Sequence, residues 1–96
     1  MGWSDELAQR SARLSDGLKD DQEFMNSDSA LPRWVKNLMA MQLDSIANHP
    51  AGSRWYGSQA LEAGATEEQL MEAIELLYKF AGRPAAATAA AVFEKG

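Results

Sequence analysis

The chain has 96 residues, no cysteine, one histidine and a net charge of −5. Without a thiol it can form no disulfide and no thiolate metal site, and cysteine-based peroxide reduction, thioester formation and disulfide exchange are all closed to it. A single histidine does not build a zinc site of its own. A pI of about 4.7 opposes nucleic acid and anionic membrane surfaces, both of which select lysine and arginine.

Such a short chain reads as one domain, spanning 1–96. A domain of this size buries only about 60–65% of the surface its unfolded chain exposes. With disulfides and metals removed, association between copies is the remaining support. No apolar run approaches the roughly 20 residues that cross a bilayer. The acidic start Met1-Gly2-Trp3-Ser4-Asp5-Glu6 has no apolar core of the secretory kind. The expectation is a soluble, cytoplasmic, all-α protein that binds neither nucleic acid nor membrane.

The first predicted helix runs from about Ser4 to Lys19, with Ser4 as N-cap and Asp5 and Glu6 facing the positive end of the helix dipole. Leu7, Leu14 and Leu18 give it a thin apolar stripe. From Asp20 to Ser29 the chain is polar and reads as a connection anchored by Phe24 and Met25. Residues 1–30 thus form an N-terminal helix and connection, and 31–93 the body of the domain.

Pro32 opens a second helix to about Ala47, at a position where a missing N–H costs nothing. Val35, Leu38, Met39, Gln42 and Ile46 recur at helical spacing and predict its buried face, which Trp34 and Met41 widen. Asn48-His49-Pro50 ends that helix and begins the next, which runs to about Ala63 and stops at Gly64, a residue suited to a left-handed C-terminal position. Thr66-Glu67-Glu68-Gln69 is a capping box. The helix it starts, to about Ala81, carries Leu70, Ile74 and Leu77 on one stripe and Met71, Leu76, Tyr78 and Phe80 around the rest. A helix apolar nearly all round is buried nearly all round, which predicts a second subunit against it. Gly82-Arg83-Pro84 restarts the chain into an alanine-rich helix from about Pro84 to Glu94.

Three motifs in order carry a family resemblance. Leu31-Pro32-Arg33 with Lys36 and Leu38-Met39 is similar to an opening "LP-x-x-x-(R/K)-x-L-(I/M)". The run Ala60 to Glu68 is similar to a corner "A-x-x-x-G-(A/V)-(S/T)-x-(E/D)-E". Gly82-Arg83-Pro84-Ala85-Ala86, preceded by Glu72-Ala73, is similar to a restart "G-x-P-A-A". Over Leu31–Phe93 the chain resembles the carboxymuconolactone decarboxylase family, which includes the alkylhydroperoxidase D type.

The resemblance implies an all-α fold of about five helices that assembles into trimers or hexamers. Peroxidase-type members carry "C-x-x-C-x-x-x-H", and counting back from Gly64 places Tyr56 at that histidine and Gly52 and His49 at the two cysteines. The assisting glutamate falls near Asn37. All four positions differ, so the thiol peroxidase mechanism does not transfer. Decarboxylase-type members usually keep the histidine that Tyr56 replaces.

The residues that remain suggest a different kit at the start of the third helix. His49 can move a proton near neutral pH. Tyr56 can donate a hydrogen bond to a developing enolate or carbonyl oxygen. Arg54 can hold a carboxylate, with Trp55 beside it as a binding surface. These four residues are the candidate site. The expected function is a cofactor-free and metal-free lyase or decarboxylase, or a related proton-transfer enzyme, acting on a small carboxylated or lactone metabolite. The alternative is a non-catalytic oligomer of the same fold that binds a small molecule or serves a partner enzyme. Each residue also has a plain structural role open to it: His49 as a helix-start residue, Arg54 in a surface ion pair, Trp55 with Trp34, Tyr78 and Phe80 in core or interface.

Overall fold

A computed structural model describes residues 2–94. It contains six α-helices and a terminal 3₁₀ turn, and no strand among the described residues. They are α1 (Trp3–Arg10), α2 (Ala12–Met25), α3 (Arg33–Ile46), α4 (Pro50–Glu62), α5 (Glu67–Ala81), α6 (Arg83–Ala89) and the turn Ala90–Phe93. No helix is long and apolar enough to cross a membrane.

α3 and α4 form the central antiparallel pair, with α5, α6 and the terminal turn packed around it. Met41, Ala60, Leu70, Ile74, Leu77, Ala85 and Ala89 make up most of the core. Small residues let the backbones approach. A Cβ at Gly57 would sit 2.7 Å from Val92 Cγ1, so glycine is what lets the terminal turn lie against α4. The buried hydroxyls of Ser45 and Ser53 join α3 to α4 at 2.8 Å, and each also donates or shares a bond with a backbone carbonyl one turn back.

The predicted boundaries of α4 and α5 hold closely. Thr66 Oγ1 accepts from Gln69 N–H at 3.0 Å while Gln69 Oε1 accepts from Thr66 N–H at 2.9 Å, the reciprocal pair that starts α5. Gly64 adopts φ 110°, and the bonds Gly64 N–H to Leu61 C=O and Ala65 N–H to Ala60 C=O close α4 in a Schellman motif.

Three expectations are corrected. The first helix does not run unbroken from Ser4 to Lys19. Ser11 is extended, ends α1, and caps α2 through a bond from Leu14 N–H to its hydroxyl. The stretch from Asp20 to Met25 is helical rather than a connection, because its acidic side chains simply face solvent. The last helix turns into 3₁₀ geometry at Ala90.

A fourth correction concerns α3, whose buried face is rotated from the one its apolar residues suggest. Lys36, Asn37, Leu38, Met41 and Ser45 are buried, whereas Met39, Leu43 and Ile46 are exposed. Lys36 and Asn37 can be buried because the N-terminal segment presents carbonyls to them. Lys36 Nζ donates to the carbonyls of Phe24 and Ser27, both at 2.9 Å, and lies 4.0 Å from the centre of the Phe24 ring. Asn37 Nδ2 donates to Met25 C=O at 3.3 Å and Arg33 C=O at 2.9 Å. A buried charge is tolerated only with such partners.

This rotation has a direct consequence for stability. Met41→Ala, at a fully buried position, is expected to lower the unfolding free energy by about 2–5 kcal/mol. Met39→Ala, on the face the apolar pattern favoured but 46% exposed, should change the stability of the single chain by no more than about 0.5 kcal/mol. Urea unfolding of the two variants checks both values.

Candidate functional site

The site begins with how α3 ends. Asn48 sits in the left-handed region at φ 59°, which asparagine tolerates better than most residues. Asn48 N–H donates to Ser45 C=O at 3.1 Å and His49 N–H donates to Asp44 C=O at 2.9 Å, a second Schellman motif. Thr88 of α6 fixes the turn by donating to Asn48 Oδ1 at 3.0 Å, a hydroxyl shared with Pro84 C=O. Pro50 then starts α4.

A Schellman turn brings the side chains of its first and last residues together. Here those are Asp44 and His49. Asp44 Oδ2 lies 3.5 Å from His49 Nδ1, so one residue holds the histidine through both its backbone carbonyl and its carboxylate. Gly52, one turn into α4, faces this pair. A Cβ there would collide with the Asp44 carboxylate and sit 2.5 Å from His49 Nδ1. The space a side chain at 52 would fill is taken by the Asp44–His49 pair.

Tyr56 is one further turn along the same face of α4. Burial pushes its phenol above the usual value of 10.0, and the carboxylates of Asp44 and Asp21 push it the same way. It therefore remains a neutral hydrogen-bond donor throughout the physiological range. Asp44, His49, Gly52 and Tyr56 line one cleft of about 760 Å³, together with Asn37, Trp55 and Gln59. Its opposite wall is α1 and α2, which contribute Trp3, Asp5, Leu18, Lys19 and Asp21 among others.

The four residues predicted from sequence divide. His49 and Tyr56 share the cleft, and Trp55 borders it. Arg54 does not. It lies on the far side of α4, where it pairs with Glu94 at 3.6 Å and lines a separate shallow groove with Ala51, Trp55, Ser58 and Glu94. Closeness in sequence misled, because residues two apart on a helix point in nearly opposite directions. The cation that lines the cleft is Lys19, on the wall opposite His49.

Sequence reasoning also missed Asp44. The signal that would have found it is Asn48: read as the left-handed residue ending α3, it fixes Asp44 opposite His49. Asn37, where the glutamate of peroxidase-type proteins would fall, lines the cleft, but its amide is engaged with backbone carbonyls. No group of three or more metal-ligating side chains occurs among the described residues.

The sequence profile of the Carboxymuconolactone decarboxylase family matches residues 12–95. The chain belongs to this family. The match reaches well before the Leu31 motif and takes in all of α2, leaving α1 outside it. No curated protein and no solved structure matches. This member of the carboxymuconolactone decarboxylase family has no cysteine. At the two positions that hold cysteines in the peroxidase-type motif it places a histidine and a glycine, whose combined space accommodates an aspartate–histidine pair.

The raised Tyr56 value carries a pH signature. A neutral acid whose folded value exceeds its unfolded value stabilises fully below the unfolded value and loses that contribution as pH rises through the folded one. Unfolding free energy should therefore decline as pH rises above about 10, the ordinary value for tyrosine. Tyr56→Phe should flatten the decline, as read by denaturant titration at each pH.

Proposed function

We propose that this chain is a cofactor-free proton-transfer enzyme of the lyase or decarboxylase kind, acting on a small lactone or carboxylated carbonyl compound in the cleft between α4 and the N-terminal helices. The observation that carries this reading is the Asp44–His49 pair beside the neutral phenol of Tyr56. Asp44 orients the imidazole and stabilises it when protonated. His49 removes a proton from carbon next to the carbonyl, or returns one to it. Tyr56 donates a hydrogen bond to the carbonyl oxygen as it gains charge.

In decarboxylation the bond to the carboxyl carbon breaks and its electron pair moves into the carbonyl as an enolate. Tyr56 stabilises the enolate oxygen and protonated His49 supplies the proton that replaces carbon dioxide. A carboxylate in this cleft meets Lys19 rather than Arg54. The carboxylates of Asp5, Asp21 and Asp44 weaken the pull on an anion, which favours lactones and singly charged acids over polyanions. The family's fold hosts this chemistry without its thiols, as folds generally host sites of different kinds.

A second reading rests on the replacement of both cysteines and the family histidine: a binding protein of the same fold without turnover. A thermal-shift screen against lactones and small keto acids separates the two. A ligand at about a hundred times its Kd adds about 2.7 kcal/mol of stability. For any compound that is turned over, His49→Ala and Tyr56→Phe should each reduce kcat by about 10²–10⁴-fold, and Arg54→Ala should leave it within about threefold. Binding without turnover favours the second reading. Turnover undiminished in both His49→Ala and Tyr56→Phe removes the first.

The assembly is part of the same proposal. Phe80 is 86% exposed and Leu76 52%, while Met71 and Tyr78 are exposed on the other flank of α5. On α3, Leu43 and Ile46 are 64% and 58% exposed. Apolar surface on two neighbouring helices supports burial against further copies of the chain as a trimer or hexamer. Light scattering should give a mass several times the 10.5 kDa of one chain, and Phe80→Glu should shift it towards that of one chain.

A further inference from the structure

We infer that the N-terminal hairpin of α1 and α2 is a hinged cover over the cleft, pinned to the body only at its end by Lys36 and Asn37. The first observation is how the hairpin is held. Neither α1 nor α2 buries a residue. The side chains they turn inward are mostly small or polar, Ser4, Ala8, Ser15 and Leu18 among them, and these face the cleft rather than a packed core. α1 packs against α2, and α2 reaches the body through α3.

The second observation is where the polar ties lie. Among the described residues, every hydrogen bond from the N-terminal segment to the body uses residues 24–29. Lys36 Nζ holds the Phe24 and Ser27 carbonyls, Asn37 holds Met25 C=O, and Asp28 Oδ1 accepts from Arg33 N–H at 2.7 Å. Among the described residues, no hydrogen bond or ion pair joins residues 2–23 to the body. Fixed at one end and weakly packed along its length, such a segment opens at a free energy well below that of global unfolding. Lifted away, helices this short do not hold themselves together in water.

The cover also decides what the site contains. With it closed, Trp3, Lys19 and Asp21 complete the wall opposite His49 and Tyr56, and Asp21 adds to the field that keeps Tyr56 protonated. With it lifted, the partly covered Asp44 and Tyr56 open further to solvent, whereas His49 is 46% exposed even with it closed. Residues 3–23 thus gate entry and supply the specificity wall. This holds whether the cleft catalyses or only binds, so loss of the proposed chemistry leaves it standing.

Hydrogen exchange read by mass spectrometry on the full chain tests it, with Lys36→Met as the variant. Methionine keeps the volume of the buried stem and removes the ammonium that holds the two carbonyls. In the wild type, amides of 3–23 should exchange as one group, at least about tenfold faster than those of α4 and α5. Lys36→Met should speed that group by about a further tenfold and leave α4 and α5 unchanged. Exchange of 3–23 together with α4 and α5 in the wild type overturns the proposal, and this comparison decides alone if Lys36→Met does not fold. Lys36→Met accelerating every helix alike also overturns it. So does protection of 3–23 that rises with protein concentration, which would place the hairpin on a neighbouring copy.

Discussion

The hydrogen bond from His49 N–H to the Asp44 carbonyl organises this molecule's site. It closes α3, turns the chain through the left-handed Asn48, and launches α4 antiparallel to α3. The same six-residue turn sets the Asp44 and His49 side chains against each other. The geometry therefore does not rely on two long side chains finding one another across solvent, where an ion pair contributes little. Gly52 completes the arrangement by leaving empty the volume the pair occupies, and the Ser45–Ser53 bond holds the helices at the required spacing just behind it. The fold and the site are thus consequences of the same turn.

Much of the fold is legible where the chain punctuates itself. Pro50, Gly64, the Thr66–Gln69 box and Gly82-Arg83-Pro84 each impose a local backbone requirement that no tertiary contact has to supply. The failures have a common cause. Ser11 and the acidic run after Lys19 carry no strong stop signal, and an exposed helix needs no apolar pattern to form. On α3 the apolar pattern was right for Leu38 and Met41 and wrong for Met39 and Ile46, which are exposed. Burial of Lys36 and Asn37 depends on carbonyls from a segment about ten residues away in sequence, which local periodicity cannot see.

The site was legible to the extent that it lies on one helix. His49, Gly52 and Tyr56 follow helical spacing and share a face. Arg54 falls between them in sequence and behind them in space, so its part was misread. Asp44 belongs to the preceding helix and comes into view only when the turn between them is recognised for its geometry rather than as a break. Distances along the chain are a poor guide to a site, whereas the angular position on a helix and the conformation of its last residue are good ones.

In the peroxidase-type motif, two thiols one turn apart exchange electrons and a histidine moves the proton. By the count back from Gly64, the first thiol position falls on His49, the second on Gly52, whose side-chain space the Asp44–His49 pair takes, and the proton carrier's position on Tyr56, a phenol held neutral by burial and by two carboxylates. Loss of the two thiols removes redox capacity, while an imidazole and a phenol remain as proton-bearing groups. A phenol kept protonated by burial and by nearby negative charge is a poor base and a persistent donor. Burial, with the carboxylates of Asp44 and Asp21, keeps Tyr56 a donor, and the same two carboxylates place negative charge along the cleft it lines.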